Sequence, residues 1–370
     1  MASQEPLLLT PGPLTTSRRV RAAMSRDWGS RDQDFIELNA DIRRRLVGLI
    51  DGGDAFTAIP LQGSGSFIVE ATLGTLVPKT GKLLVMNNGA YGARMMTMAR
   101  YHGRDCVSID GPEDQPNDVD ALAAALRDDP AISHVAAVYC ETTSGILNDI
   151  ESMAKAVAAH GRSFMIDAMS AFGALPLSAK DIAFDAVMAS SNKCLEGVPG
   201  MGFALVRKSV IAQAQGNAPA LVLDLAEQVK AMDKNGQWRF TPPTHVMAAF
   251  REAMIAHEEE GGVAGRGARY RENCAILCDG MAKLGFTQLL PPALQAPIIV
   301  TFKEPDDPAF EFNRFYDGLR ARGFAIYPGK LTVAPSFRIG CIGHLGADEM
   351  HAALAAVRDV MSDMGLKLAA

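Results

Sequence analysis

The residues of this sequence that are best suited to chemistry are a lysine and an aspartate, each near the end of a short apolar run. Lys193 follows the run 184–189, and Asp167 ends the run that begins at Ser163. Short apolar runs bounded by turn residues predict buried strands. Ligands of parallel α/β sheets bind at the carboxyl ends of such strands. The sequence therefore predicts an amine and a carboxylate at one edge of a sheet.

This pair has two interpretations. In the first, Lys193 forms a Schiff base with pyridoxal 5′-phosphate (PLP), and Asp167 keeps the pyridine nitrogen of that cofactor protonated. In the second, Lys193 is a surface lysine after a core strand, and Asp167 caps a turn. Because short motifs also occur by chance, these two residues alone leave both interpretations open.

A glycine-containing turn is the next candidate site. Ser64, Gly65 and Ser66 follow the predicted strand 55–61 and precede helical apolar spacing over 67–77. Backbone N–H groups at a helix N-terminus attract phosphate, and glycine lets the anion approach closely. The spacing matches neither a dinucleotide fingerprint nor a P-loop. An ordinary helix cap by one of the serines explains the same pattern, so both interpretations stay open.

Two further side chains are candidates for ligand binding. Tyr91 lies just past a predicted strand, where its ring could stack on a planar cofactor or pack on the start of a helix. Arg338 lies within an apolar strand, and a buried arginine requires an anion. That anion could be a carboxylate of the protein or the acid group of a substrate, for which the planar guanidinium is well suited.

The elements that must position these residues alternate along the chain. Strand and helix patterns follow one another from residue 55 to about residue 206, which predicts an α/β fold with a mostly parallel sheet and helices on both faces. A less regular middle follows, and a smaller α+β unit begins after residue 260. We predict a large domain over residues 17–260 and a small domain formed by residues 1–16 and 261–370.

Composition excludes several classes of protein. The chain has 370 residues, 48% hydrophobic and 21% charged, with a formal net charge of −6. These values are ordinary for a globular enzyme and give no reason to expect nucleic acid or an anionic membrane as partner. The six cysteines lack metal-ligand spacing, which favours reduced thiols in a cytoplasmic protein and no metal site. We see neither a signal peptide nor a membrane span.

Taken together, these motifs resemble the class V aminotransferases, which have the PLP-dependent transferase fold of type I. The resemblance covers nearly the whole chain and rests on residues 8–17, 62–66, 88–94, 141–145, 166–170, 192–194, 238–241, 327–330 and 337–340. The opening stretch and Tyr91 resemble members that move the amino group of 2-aminoethylphosphonate to pyruvate. An alanine–glyoxylate or serine–pyruvate type of aminotransferase is the alternative. A desulfurase is less favoured, although Cys194 next to Lys193 keeps this alternative open. A PLP-binding regulatory protein without turnover is also less favoured.

The resemblance also implies roles for particular residues. Lys193 and Asp167 would be catalytic, and Arg338 would hold the acid group of the substrate. The implied cofactor-binding residues are Ser64, Gly65, Ser66, Tyr91, Thr142, Asp167, Met169, Asn192, Lys193 and Thr241. Thr241 would come from the second subunit of a homodimer with shared active sites. Arg31 stands where members of the family often have Trp, so it is predicted to influence the choice of substrate.

Overall fold

The structure is a computed structural model that describes residues 5–331 and 334–367. Its strands are β1 (Leu7–Leu8), β2 (Phe56–Gln62), β3 (Lys82–Asn87), β4 (Asp105–Asp110), β5 (Ile132–Val138), β6 (Cys140–Glu141), β7 (Ile146–Leu147), β8 (Ser163–Asp167), β9 (Ala186–Ser190), β10 (Met201–Arg207), β11 (Ile299–Lys303), β12 (Phe324–Ala325), β13 (Tyr327–Pro328) and β14 (Ser336–Gly340). Its α-helices are α1 (Arg18–Ala22), α2 (Gln33–Gly48), α3 (Gly65–Leu76), α4 (Ala90–Tyr101), α5 (Val119–Asp128), α6 (Ile150–Ala159), α7 (Lys208–Gln213), α8 (Leu225–Asn235), α9 (Thr244–Glu259), α10 (Gly262–Lys283), α11 (Phe312–Ala321) and α12 (Ala347–Met364).

A seven-stranded sheet organises the first two thirds of the chain. Its strand order is β2-β10-β9-β8-β5-β3-β4. The strands from β9 to β4 are parallel to their neighbours, whereas β10 is antiparallel to both β9 and β2. The predicted α/β class with a mostly parallel sheet is confirmed. The antiparallel exception follows from the connection 191–200, which contains no helix and is too short for a crossover between parallel strands.

Helices cover both faces of this sheet. Side chains alternate along a strand, so Val135 and Ala137 of β5 pack into one apolar core while Ala136 and Val138 pack into another. The first core includes residues of α2, α5, α6 and α9, and the second includes residues of α3, α4 and α8. Because both faces are buried, the strands read as near-continuous apolar runs in the sequence.

A three-stranded antiparallel sheet, β11-β14-β13, packs with α10, α11 and α12 around a separate apolar core. Leu9 belongs to this core, and Leu7 pairs with Phe324 in the parallel β1-β12 ladder. These contacts are compatible with the predicted small domain of residues 1–16 and 261–370, and the division at residue 260 remains a prediction. In the part of the chain that the structure describes, every helix is too short or too polar to span a bilayer.

Two local expectations differ from the structure. The predicted strand over 324–327 is split into β12 and β13, because the chain changes partner from β1 to β14 between them. The middle of the chain contains α8, which the apolar spacing did not reveal. The residues at the two ends of α8 are, however, typical of helix termini. The Asp224 side chain accepts a hydrogen bond from Glu227 N, and Gly236 ends the helix at a φ of 77°.

Candidate active site

A cavity of about 550 Å³ opens at the carboxyl ends of the parallel strands. The sequence-predicted residues that line it are Ser64, Gly65, Ser66, Tyr91, Thr142, Asp167, Met169, Asn192 and Lys193. They lie at the end of β8 or among the residues that follow β2, β3, β6, β8 and β9. Parallel strands end at one edge of the sheet, so residues far apart in the sequence meet there.

A tight loop holds Lys193 three residues beyond the end of β9. Gly197 N donates to Ser191 O at 2.8 Å, and Glu196 N donates to Lys193 O at 2.7 Å. The Lys193 amine donates to the carbonyl of Pro11. No carboxylate of a described residue lies within 4.0 Å of this amine, and burial lowers its pKa. An unpaired amine of this kind is neutral more often and is therefore a better nucleophile and base.

The opening segment of the chain shapes this environment. Gly12 has a φ of +118°, and a Cβ at this position would lie 2.7 Å from the Lys193 Nζ. A side chain there would be strained by the backbone conformation and would collide with the lysine. The opening segment therefore borders the reactive amine.

Asp167 ends β8 and is buried. Its Oδ1 accepts a hydrogen bond from Met169 N at 2.9 Å, and Oδ2 has no hydrogen-bond donor among the described residues. Burial raises the pKa of this carboxyl to about 6. A cation that approached Oδ2 would stabilise the ionised form, so the site can hold a protonated nitrogen.

The turn before α3 has the geometry of an anion site. The Ser64 side chain makes no capping hydrogen bond, and Ser66 Oγ accepts a hydrogen bond from Arg94 Nη1 at 3.0 Å. The structure therefore does not support the alternative interpretation, in which one of these serines caps the helix through its side chain. A Cβ on Gly65 would lie 2.5 Å from the Met169 sulfur, so a larger residue at this position would displace the Met169 side chain.

Arg94 is a residue of the site to which the sequence analysis gave no role. It lines the cavity, and its guanidinium carbon lies 5.0 Å from the centroid of the Tyr91 ring. A signal was present, because residues three apart in a helix lie on the same face, and Tyr91 and Arg94 have this spacing in α4. The arginine places a permanent positive charge beside Ser66.

A buried glutamate sets the position of Tyr91. Glu141 Oε2 accepts a hydrogen bond from Tyr91 N at 3.1 Å, while Oε1 accepts from Thr143 N and Oγ1 at 3.0 and 2.7 Å. Burial raises the pKa of Glu141. Burial also opposes ionisation of the Tyr91 hydroxyl, but its hydrogen bond with Thr142 and the positive charge of Lys193 outweigh it, so the pKa of Tyr91 is lowered. The region around the ring is electropositive.

Arg338 lies in β14, is buried, and contacts the cavity through Thr142 without itself lining it. Its Nη1 donates to Thr142 O at 2.7 Å and its Nε donates to Pro328 O at 3.1 Å. Among the described residues no carboxylate lies within 4.0 Å of this guanidinium, so the protein itself does not supply the expected anion there. Nη2 of Arg338 has no hydrogen-bond partner among the residues that the structure describes. Burial lowers the pKa of Arg338, as expected for a cation without a counter-charge.

The structure does not bring Arg31 or Thr241 to the cavity. Both are exposed and neither lines the cavity in one protomer, so their roles remain predictions. Cys194 is buried and its thiol donates to Ser170 O at 3.2 Å. Burial raises the pKa of this thiol to about 12, which disfavours the thiolate that a desulfurase would use. Residues 5–331 and 334–367 contain no group of three or more His, Cys, Asp or Glu side chains that could hold a metal.

Comparison with known proteins gives three kinds of match. The family model described as aminotransferase class-V matches residues 15–340. The 2-aminoethylphosphonate–pyruvate transaminase of Pseudomonas fluorescens is 53% identical over 364 residues, covering 98% of this chain and 99% of that protein. The enzyme of the same name from Pseudomonas aeruginosa is 51% identical, covering 98% of each chain.

Solved structures show the same fold. The ureidoglycine–glyoxylate aminotransferase of Bacillus subtilis superposes with a TM-score of 0.91 at 21% identity, covering all of this chain and 96% of the other. The pyridoxamine–pyruvate aminotransferase of Mesorhizobium loti gives a TM-score of 0.90 at 24% identity, covering 100% and 95% of the two chains. At these identities the likeness concerns the fold.

Proposed function

Because the chain belongs to the class V aminotransferases, we propose that it moves the amino group of 2-aminoethylphosphonate to pyruvate, giving phosphonoacetaldehyde and alanine. The observation that carries this proposal is one cavity lined by Lys193, Asp167 and Thr142, in which the Thr142 carbonyl accepts a hydrogen bond from the buried, unpaired cation Arg338. The relatives of that name, which are more than half identical over nearly the full length, support this choice of substrates.

The residues of the cavity fit PLP. A free amine, a buried carboxylate with one open oxygen, and a helix N-terminus with Arg94 match the aldehyde, the pyridine nitrogen and the phosphate of the cofactor. Lys193 would hold the cofactor covalently, and Asp167 would keep its nitrogen protonated. Ser64, Gly65 and Ser66 would bind the phosphate, and Tyr91 would stack on the ring. Met169, Asn192 and Thr142 would complete the walls.

Lys193 is the residue that would move the proton. Once substrate had displaced it, its neutral amine would take the proton from the substrate carbon that bears the amino group and carry it to the cofactor. The lowered pKa of this amine favours the neutral, basic form. When bound, PLP supplies the electron sink for this step. Asp167 assists by holding the proton on the pyridine nitrogen.

We expect Arg338→Ala to impair both half-reactions, because donor and acceptor both carry an acid group. Loss of a charge-assisted bidentate contact should lower kcat/KM by about 30- to 1000-fold. Arg338→Lys should recover only part of this, since an ammonium cannot reproduce the planar fork. The half-reactions are measured separately by single-turnover absorbance, beside a melting curve. Arg314→Ala, at an exposed position of α11, is the control. Normal rate constants in a less stable Arg338→Ala protein would refute the substrate role.

We also propose a homodimer with shared active sites. Phe67 and Phe240 are 51% and 42% exposed and are adjacent in sequence to Ser66 and Thr241. Exposed large apolar side chains are compatible with a surface that another subunit covers. In such a dimer, Thr241 would reach the phosphate site of the partner.

Mixing two inactive variants tests this sharing. Lys193→Ala protein and Thr241→Asp protein, dissociated and reassociated together, should form hybrid dimers in which one site has both residues intact. Random pairing should restore up to about a quarter of the wild-type activity. Each variant mixed with itself is the control. An active species that sediments as a monomer would rule out the shared site.

The proposed reaction is tested with purified, PLP-loaded protein. We expect alanine and phosphonoacetaldehyde to form in equal amounts from 2-aminoethylphosphonate and pyruvate. L-Alanine or L-serine with glyoxylate or pyruvate tests the alternative aminotransferases, and turnover of these pairs alone would favour them. A protein that binds PLP but transfers no amino group would be the regulatory alternative.

All six cysteines are free thiols, which supports the proposed cytoplasmic location.

A further inference from the structure

The chain from β13 to β14 carries two cations that contact the cavity residues Tyr91 and Thr142. The Lys330 Nζ lies 4.3 Å from the centroid of the Tyr91 ring. Arg338, farther along the same segment, donates to the carbonyl of Thr142 at 2.7 Å. Tyr91 and Thr142 both line the cavity. Lys330 therefore stands beside the proposed substrate site, on the side where Arg338 lies.

The backbone of this segment holds Lys330 in place. Gly329 N donates to Ser336 O at 2.8 Å, and Pro328 O accepts from Arg338 Nε at 3.1 Å. The lysine is half-buried, and in the described part of the chain no carboxylate lies within 4.0 Å of its ammonium. A lysine without a counter-ion usually extends into solvent, because its ammonium is strongly hydrated. This one lies over an aromatic ring at the edge of the cavity.

The two proposed substrates make different demands on these cations. A carboxylate has one charge and two oxygens, whereas a phosphonate has up to two charges and three oxygens. Arg338 already donates Nε–H and one Nη1–H to backbone carbonyls, which leaves the other Nη1 hydrogen and Nη2 for one bidentate contact with a ligand. A single guanidinium that already donates two hydrogen bonds to the protein matches the charge and shape of a carboxylate better than those of a dianion.

We propose that Lys330 supplies the second positive charge of the substrate site and selects the phosphonate donor over carboxylate-bearing amines. This inference rests on the proposed function and names the residue that distinguishes its two half-reactions. A lysine acts as a point charge toward such an oxygen, so it needs no fixed hydrogen-bond geometry. Pyruvate would bind to Arg338 without it.

The test compares both half-reactions in PLP-loaded Lys330→Met and Lys330→Arg proteins. Methionine keeps an unbranched side chain but removes the charge. We expect Lys330→Met to raise the apparent Kd for 2-aminoethylphosphonate by about 10- to 100-fold, the usual cost of a contact to a charged group. Lys330→Arg should recover most of this, and the half-reaction with pyruvate should change less than about twofold. Lys303→Met, on the exposed end of β11, is the matched control.

A binding measurement separates this inference from the proposed reaction. Calorimetric titration with methylphosphonate and with acetate requires no turnover. We expect Lys330→Met to weaken methylphosphonate binding by about 10-fold or more and to leave acetate binding unchanged. Equal losses for both anions, or no loss for methylphosphonate, would overturn the inference even if the wild-type protein uses 2-aminoethylphosphonate. A wild-type protein that transfers amino groups only from other donors would refute the proposed function, and methylphosphonate binding would still decide the role of Lys330.

Discussion

Replacing Lys193 by alanine should abolish amino transfer, with a loss of at least about 1000-fold, because one side chain would supply both the covalent link to PLP and the proton transfer. The fold should survive. The amine has no buried counter-ion among the described residues, so its removal leaves only the Pro11 carbonyl without its donor. Turnover of 2-aminoethylphosphonate with pyruvate and a melting curve measure the two effects. We expect PLP to bind noncovalently to this variant.

Borohydride reduction gives an independent measurement of the same assignment. Reduction of the PLP-loaded wild-type protein should attach the cofactor irreversibly to one lysine, which peptide mass spectrometry identifies as Lys193. Lys208→Ala, at the exposed start of α7, is the control and should retain full activity and labelling. A label on another lysine would refute the assignment of Lys193.

Asp167→Asn should reduce turnover on the order of 100- to 1000-fold while the protein keeps its fold, since removing one preorganised electrostatic partner of a developing charge has this cost. Asparagine can still accept the hydrogen bond from Met169 N, so the local structure is preserved. A neutral amide cannot hold the proton on the pyridine nitrogen, however, and the cofactor becomes a weaker electron sink. The absorbance of the bound cofactor and its dissociation constant should both change.

Asp110→Asn is the matched control for this prediction. Asp110 ends β4 at the same edge of the sheet but is exposed and does not line the cavity. We expect wild-type turnover from it. Turnover by Asp167→Asn that matches this control would contradict the role of Asp167, because the buried carboxylate would then be only structural.

Much of the fold follows from local patterns in the sequence. The strands β2 and β8 are predicted within two residues at each end, because each is a short apolar run that is buried in the sheet. The helix α8 is not predicted, since its apolar residues face a core whose position depends on the rest of the fold. The residues of β10 likewise do not determine whether the strand runs parallel or antiparallel to β9. This direction depends on the length of the connection that follows Lys193.

The sequence by itself determined that Asp167 and Lys193 lie at or just beyond the carboxyl ends of strands, since apolar runs and the polar residues after them are local properties. The tertiary structure alone decided what these residues meet. The partner of Lys193 is 182 positions away, at Pro11, and Arg338 reaches Thr142 across 196 positions. Likewise, only folding brings Lys330 over the ring of Tyr91. Contacts at such separations depend on how sheets and helices pack, and no local pattern of residues encodes them.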